Sequence, residues 1–248
     1  MIRTLKVLSA LLTYPTEELR AATGELRDAL VAEALLPPAH LRAVTALLDD
    51  LATRDLYDSQ ERYILLFDRT RSLSLHLFEH VHGESRDRGQ AMVDLIQLYE
   101  EAGFSPTASE LPDFLPLFLE FAATRDPPEA LELLGQPAHV LEALRERLTR
   151  RNSPYESVFA ALGALTRVEL DQDALAALRA EPDPEPDDLA ALDAAWEAEE
   201  VTFGPGATDT NNCMDTLAAK LRQGRRPAPG IVPPHAGPRP AIRHTSRA

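Results

Sequence analysis

Leucine and other apolar residues recur at intervals of three and four along most of this chain, and proline or glycine cuts each run short. No other feature limits the fold as tightly, because that spacing requires short amphipathic helices burying one face against each other. Leu5, Leu8 and Leu12 share a helix face that stops at Tyr14-Pro15. Thr16 is placed to cap the next helix, with Leu19, Leu26 and Leu30 along its apolar side. Pro37-Pro38 precedes a third segment marked by Leu41, Val44, Leu47, Leu48 and Leu51, and Leu56, Tyr63, Ile64 and Phe67 mark a fourth. The segment with Met92, Leu95, Ile96 and Tyr99 ends at Gly103, a residue suited to the left-handed turn after a helix. Asp113–Ala123 is expected to be helical with Pro116 in its first turn, where a missing N–H costs nothing. Asp126-Pro127-Pro128 breaks the chain, and helices are expected at Val140–Thr149, Tyr155–Arg167 and Asp173–Arg179.

Strand signals are nearly absent. Ser72–Leu77 alternates as a half-buried strand would, but with no partner strand in view it is expected to be helix. Neither G-x-G-x-x-G nor a phosphate-binding loop occurs, so a doubly wound nucleotide fold has no candidate site. The expected fold class is all-α: one helical-bundle-like domain over residues 1–203, with subdomains of about 1–124 and 125–203 and a hinge near 104–128. Glu181–Asp188 is an acidic, proline-punctuated linker, followed by a short helix around Leu189–Glu200. Residues 204–248 are rich in Gly, Pro and Arg and are expected to be mostly disordered, apart from a brief helix at Asp215–Gln223.

Hydrophobic content of 44% beside 26% charged residues is that of a soluble globular protein, and no apolar run is long enough to span a membrane. The N-terminus starts as a secretion signal would, with Arg3 and Lys6, but its apolar stretch Val7–Leu12 is short and is expected to be the first helix of the fold. The single cysteine, Cys213, excludes an internal disulfide and any multi-cysteine metal site, and a cytoplasmic location is expected. Net charge is −15 and unevenly placed. Six of the 25 cationic residues lie from Arg222 onward, so 19 cations face 40 carboxylates before it, a net −21. Such a body repels nucleic acid and attracts basic peptides.

Against this background Asp68–Met92 is dense in ionisable groups. His76 and His80 share one face if helical, and His82 could join them, a spacing that would suit zinc. The residue after His76 is Leu77, where a zinc peptidase needs glutamate, so no metal is expected. Arg69, Arg71, Arg86 and Arg88 with Asp68, Glu84 and Asp87 could clamp the loop His82–Gly89, which includes Gly83, against the preceding helix, or grip an anionic ligand. No G-x-S-x-G elbow supports a nucleophile, and no catalytic residue is expected. The second unusual stretch, Glu110–Phe121, places Leu115, Phe118 and Leu119 on a broad stripe widened by Phe114 and Phe121. This suits either an ordinary core helix or one wall of a groove for an amphipathic helix.

DRTRSLSLHLFEHVHGESRDRGQAMVDL, followed by ELPDFLPLFLEF, resembles the nitrate reductase assembly chaperones of the NarJ family over roughly residues 1–203. The resemblance implies an all-helical, non-enzymatic accessory protein of the cytoplasm with no cofactor of its own. Its implied partner is the catalytic subunit of a respiratory nitrate reductase, held by an N-terminal peptide until the molybdenum cofactor is inserted and the complex docks at the membrane. No nucleic-acid partner, no membrane insertion of its own, and a monomer or weak dimer are expected. Where the wider group carries an E-P-x-D-H type motif, Glu110 and Asp113 match while Leu111 and Phe114 replace its proline and histidine. The expected client-binding residues are Phe67, Leu75, Phe78, Glu79, Met92, Glu110, Asp113, Leu115, Phe118 and Leu119. The alternative is a metal- or molybdenum-cofactor-handling protein that uses the histidines and arginines of the Asp68–Met92 segment.

Overall fold

The computed structural model describes residues 1–83, 85–105, 110–166 and 168–183. Glu84, the linker beyond 183, the expected helices at Leu189–Glu200 and Asp215–Gln223, Cys213 and the expected disordered tail lie outside the described residues. Among the described residues the chain forms eleven α-helices: α1 Arg3–Leu11, α2 Glu17–Glu33, α3 Pro38–Thr53, α4 Leu56–Tyr63, α5 Glu79–His82, α6 Arg86–Glu101, α7 Leu115–Ala123, α8 Pro127–Gly135, α9 Ala138–Arg150, α10 Glu156–Thr166 and α11 Gln172–Ala180. None of the described helices is long and apolar enough to cross a membrane.

The punctuation acts as its chemistry requires. The Thr16 hydroxyl accepts from the Leu19 N–H and caps α2. Pro38 and Pro127 open α3 and α8. Gly103 takes φ +70° after α6, a conformation that favours glycine.

The first helix is the hub of the bundle. Leu5, Val7, Leu8, Leu11 and Leu12 are all buried, so α1 is enclosed on nearly every side and not on one face alone. It runs antiparallel to α7: Ile2 N–H reaches Ala123 O at 2.8 Å, and the Ser9 hydroxyl donates to Pro116 O at 2.7 Å near the other end. α2 packs on α1 and α3, while α10 packs on α1, α3, α8 and α9. The packing of α10 on α1 and α3 crosses the expected subdomain boundary near 124, and buried side chains from both sides form one core.

Two segments depart from simple helix. The chain does not turn after α4 but widens into a π-helical turn at Ile64–Asp68, closed by Arg69 N–H on Ile64 O at 3.0 Å. Ser72–Leu77 is not the expected helix. After a 3₁₀ turn at Arg71–Leu73 it extends and pairs with the segment before α7: Leu77 N–H donates to Asp113 O and Leu115 N–H to Leu75 O, forming an isolated antiparallel bridge between His76 and Phe114. The alternation in S-L-S-L-H-L marked a real extended segment, and its partner is a two-residue bridge too short to announce itself. α7 accordingly begins at Leu115 and not at Asp113.

Candidate functional site

The bridge forms part of the wall of a cleft of about 740 Å³ between α1, the π-helical turn, the segment before α5, and the start of α7. Its apolar lining is Tyr14, Tyr63, Phe67, Leu75, Phe114, Pro116 and Leu117. Tyr63 stands at the centre of an aromatic group, with its ring 5.7 Å from Tyr14 and 5.1 Å from Phe67, and its hydroxyl donates to Leu12 O at 2.9 Å. That bond gives a carbonyl at the end of α1 the partner it lacks within the helix. The π-helical turn carries Phe67 inward while Asp68 and Arg69 remain exposed on the same lining. Charged groups on the cleft are Asp68, Glu79, Glu110 and Glu120 against Arg69 and Arg71. Carboxylates therefore outnumber guanidiniums four to two.

His76 lines the cleft and ties its wall together. Its Nδ1 lies 3.2 Å from Asp113 Oδ1, and its ring lies 5.3 Å from that of Phe114. Asp113 is fully buried and also accepts from Phe78 N–H at 3.0 Å. Burial pulls the His76 pKa down, but the hydrogen bond and charge of Asp113, helped by Glu79, outweigh it and raise the value. His80 faces elsewhere: its Nε2 donates to Ser74 O at 2.8 Å, and burial holds its pKa down at about 4. The His82 ring meets Phe78 edge-on at 5.6 Å. The three imidazoles thus turn to separate neighbours, and no group of three or more potential ligands gathers for a metal among the described residues.

The arginines divide as well. Arg69 and Arg71 reach the cleft, whereas Arg88 pairs with Glu79 at 3.2 Å and links α6 to α5. Among the described residues, Glu79 thus joins Arg88 in the contact between these two helices. Arg86 and Asp87 are exposed in the first turn of α6, as is Gly89. Gly83, with φ +51°, makes the turn between the two helices.

Of the ten residues expected to bind a client, Phe67, Leu75, Glu79 and Glu110 line the cleft. Asp113 sits behind its wall, holding His76. Leu115, Phe118 and Leu119 are enclosed in the core, Phe78 is buried and Met92 half-buried against it. Every residue of α7 except Glu120 is buried, as expected of a helix that is apolar all round. The cleft receives Pro116, Leu117 and Glu120 from this helix instead. Tyr14, Tyr63, Leu117 and Glu120 were not singled out from sequence, because α1, α4 and α7 meet only in the folded chain.

Residues 15–161 match the family model described as the nitrate reductase delta subunit. The chain is 45% identical over 199 residues to the nitrate reductase molybdenum cofactor assembly chaperone NarJ of Escherichia coli (strain K12), covering 80% of this chain and 84% of that protein. It is also 39% identical over 199 residues to the probable nitrate reductase molybdenum cofactor assembly chaperone NarW of the same organism, covering 80% and 83%. Identity is 34% over 182 residues to the probable chaperone NarJ of Bacillus subtilis (strain 168), covering 71% of this chain and 96% of that one.

Proposed function

The chain belongs to the nitrate reductase delta-subunit family, and from that membership we propose that it is a chaperone of nitrate reductase molybdenum cofactor assembly. In this reading it binds the catalytic subunit through an N-terminal peptide and keeps that subunit competent for cofactor insertion and membrane docking. It catalyses nothing itself, and it acts in the cytoplasm.

The observation that carries the peptide reading is the cleft, with its aromatic and aliphatic lining and its excess of carboxylates. Such a site suits an amphipathic peptide with large apolar side chains on one face and basic residues on the other. Burying three or four large side chains gives roughly 1.5–3 kcal/mol each before ordering costs. That supports binding at micromolar affinity or tighter, and still reversible, as release of a client requires.

Titration calorimetry of the full chain with a peptide copying the N-terminal segment of the catalytic subunit tests this. One peptide per chain is expected, and Phe114→Asp is expected to weaken it. A titration with no heat and no shift of the amide resonances around the cleft would sink the peptide reading.

A further inference from the structure

Arg147 lies behind the cleft wall and is only 2% exposed. It occupies the apolar stripe of α9 that Val140, Ala143 and Leu144 establish at i, i+3 and i+4, all of them buried. A guanidinium is costly in such a place unless its donors find acceptors. Two of them are main-chain carbonyls from segments far apart in sequence: Ser72 O at 2.6 Å, and Leu178 O at the end of α11. Glu181 Oε2 adds an ion pair at 3.2 Å.

Asp183 completes the arrangement. Arg150 and Arg151 each donate to it at 2.6 Å, and the Ser72 hydroxyl lies beside it. Ser72 is two residues from Ser74, which lines the cleft, and the Ser74 carbonyl is itself held by His80. The next residue, Leu75, lines the cleft while its carbonyl accepts from Leu115. The wall is thus fixed at its front by α7 and at its back by α9 and α11.

We propose that Arg147 and Asp183 are positioning residues for the client cleft: residues 178–183 form a strap that, through Arg147, holds the wall at 72–75 in its binding geometry. The inference rests on the reading of the cleft as the client site. Neither side chain touches the client. Loosening the strap lowers affinity by letting the wall move.

The test combines hydrogen–deuterium exchange of the free full-length chain with calorimetry of the same catalytic-subunit peptide. Asp183→Ala and Arg147→Lys are each expected to raise exchange over residues 70–77 about tenfold, leaving α2 and α3 at wild-type rates. Peptide Kd is expected to weaken about five- to tenfold, through faster dissociation. Asp183→Asn, which keeps a neutral acceptor for an arginine, should recover part of both effects. Arg145→Ala removes the ion pairs that Arg145 on α9 makes with Glu142 and Glu156, which touch neither the strap nor the wall, and should alter neither measurement. Unchanged exchange over 70–77 in both variants overturns the proposal. So does exchange that rises equally throughout α2 and α3, or a loosened wall that binds peptide with wild-type affinity. If the wild-type chain takes up no peptide, it is the proposed function that fails, and the exchange measurement still reports on the strap.

Discussion

His76 and His80 stand four residues apart, and their environments drive their titration in opposite directions. Burial is the largest influence on each, but only His76 has a buried carboxylate at its ring to reverse it. His76 therefore adds stability in full below the ordinary imidazole value, and that stability is lost as pH rises through its raised folded value. Asp113→Asn should lower the His76 titration midpoint in an NMR pH series; a midpoint that stays where it was would mean the pair does not form. His80 has the opposite sign. The unfolded chain takes up a proton below about pH 6.5 that the folded chain refuses until about 4, so roughly 3 kcal/mol of stability is lost across that interval. His80→Gln should flatten that acid limb in urea unfolding measured at a series of pH values. An unaltered limb would show that His80 is not held neutral. The sequence made these histidines conspicuous but not their partners, because Asp113 is 37 residues from His76 and its burial arises only when the pre-α7 segment folds back.

Among elements, what could be foreseen depended on how far away the partner of each backbone group lies. Thr16 caps α2 from its own first turn and was readable as such. The first turn of α1 is capped instead by Glu33 at the end of α2, whose carboxylate accepts from Arg3 N–H at 2.9 Å and Thr4 N–H at 2.6 Å. No local motif encodes a cap some thirty residues away. Glu33→Ala should cost about 1 kcal/mol, read as a lower urea midpoint with unchanged slope. Burial raises the Glu33 pKa, but the Thr4 and Arg3 contacts outweigh it and leave it lowered. Its contribution is therefore present at neutral pH and lost as pH falls through the depressed folded value. Equal stability of the variant and wild type at neutral pH would remove Glu33 as a cap. Arg147 is the opposite case, legible but passed over: a lone cation on the Val140–Ala143–Leu144 stripe signals a buried polar contact. Ser72–Leu77 was legible as alternation, but only its contact with Asp113–Leu115 decides between strand-like and helical backbone.

At the scale of the whole molecule, the net charge of −15 and the excess of carboxylates on the cleft would both favour the approach of the basic peptide of the proposed function. Long-range attraction acts mainly on the association rate and is screened over ~10 Å at 0.1 M salt and ~3 Å at 1 M. Apolar contacts of the proposed peptide with Tyr14, Phe67, Phe114 and Leu117 would not be screened and would govern dissociation. Affinity for the catalytic-subunit peptide should therefore fall about tenfold between roughly 0.05 and 0.5 M NaCl, with most of the change in the association rate. Glu110 and Glu120 are both exposed on the cleft, so reversing them should not disturb the core. The double variant Glu110→Lys with Glu120→Lys should lower the association rate, flatten its salt dependence and leave both the dissociation rate and the melting temperature near wild type. Stopped-flow binding with a labelled peptide separates the two rates. An association rate indifferent to salt in the wild type would mean that the acidity of the body plays no part in capture, and the apolar lining alone would have to account for recognition.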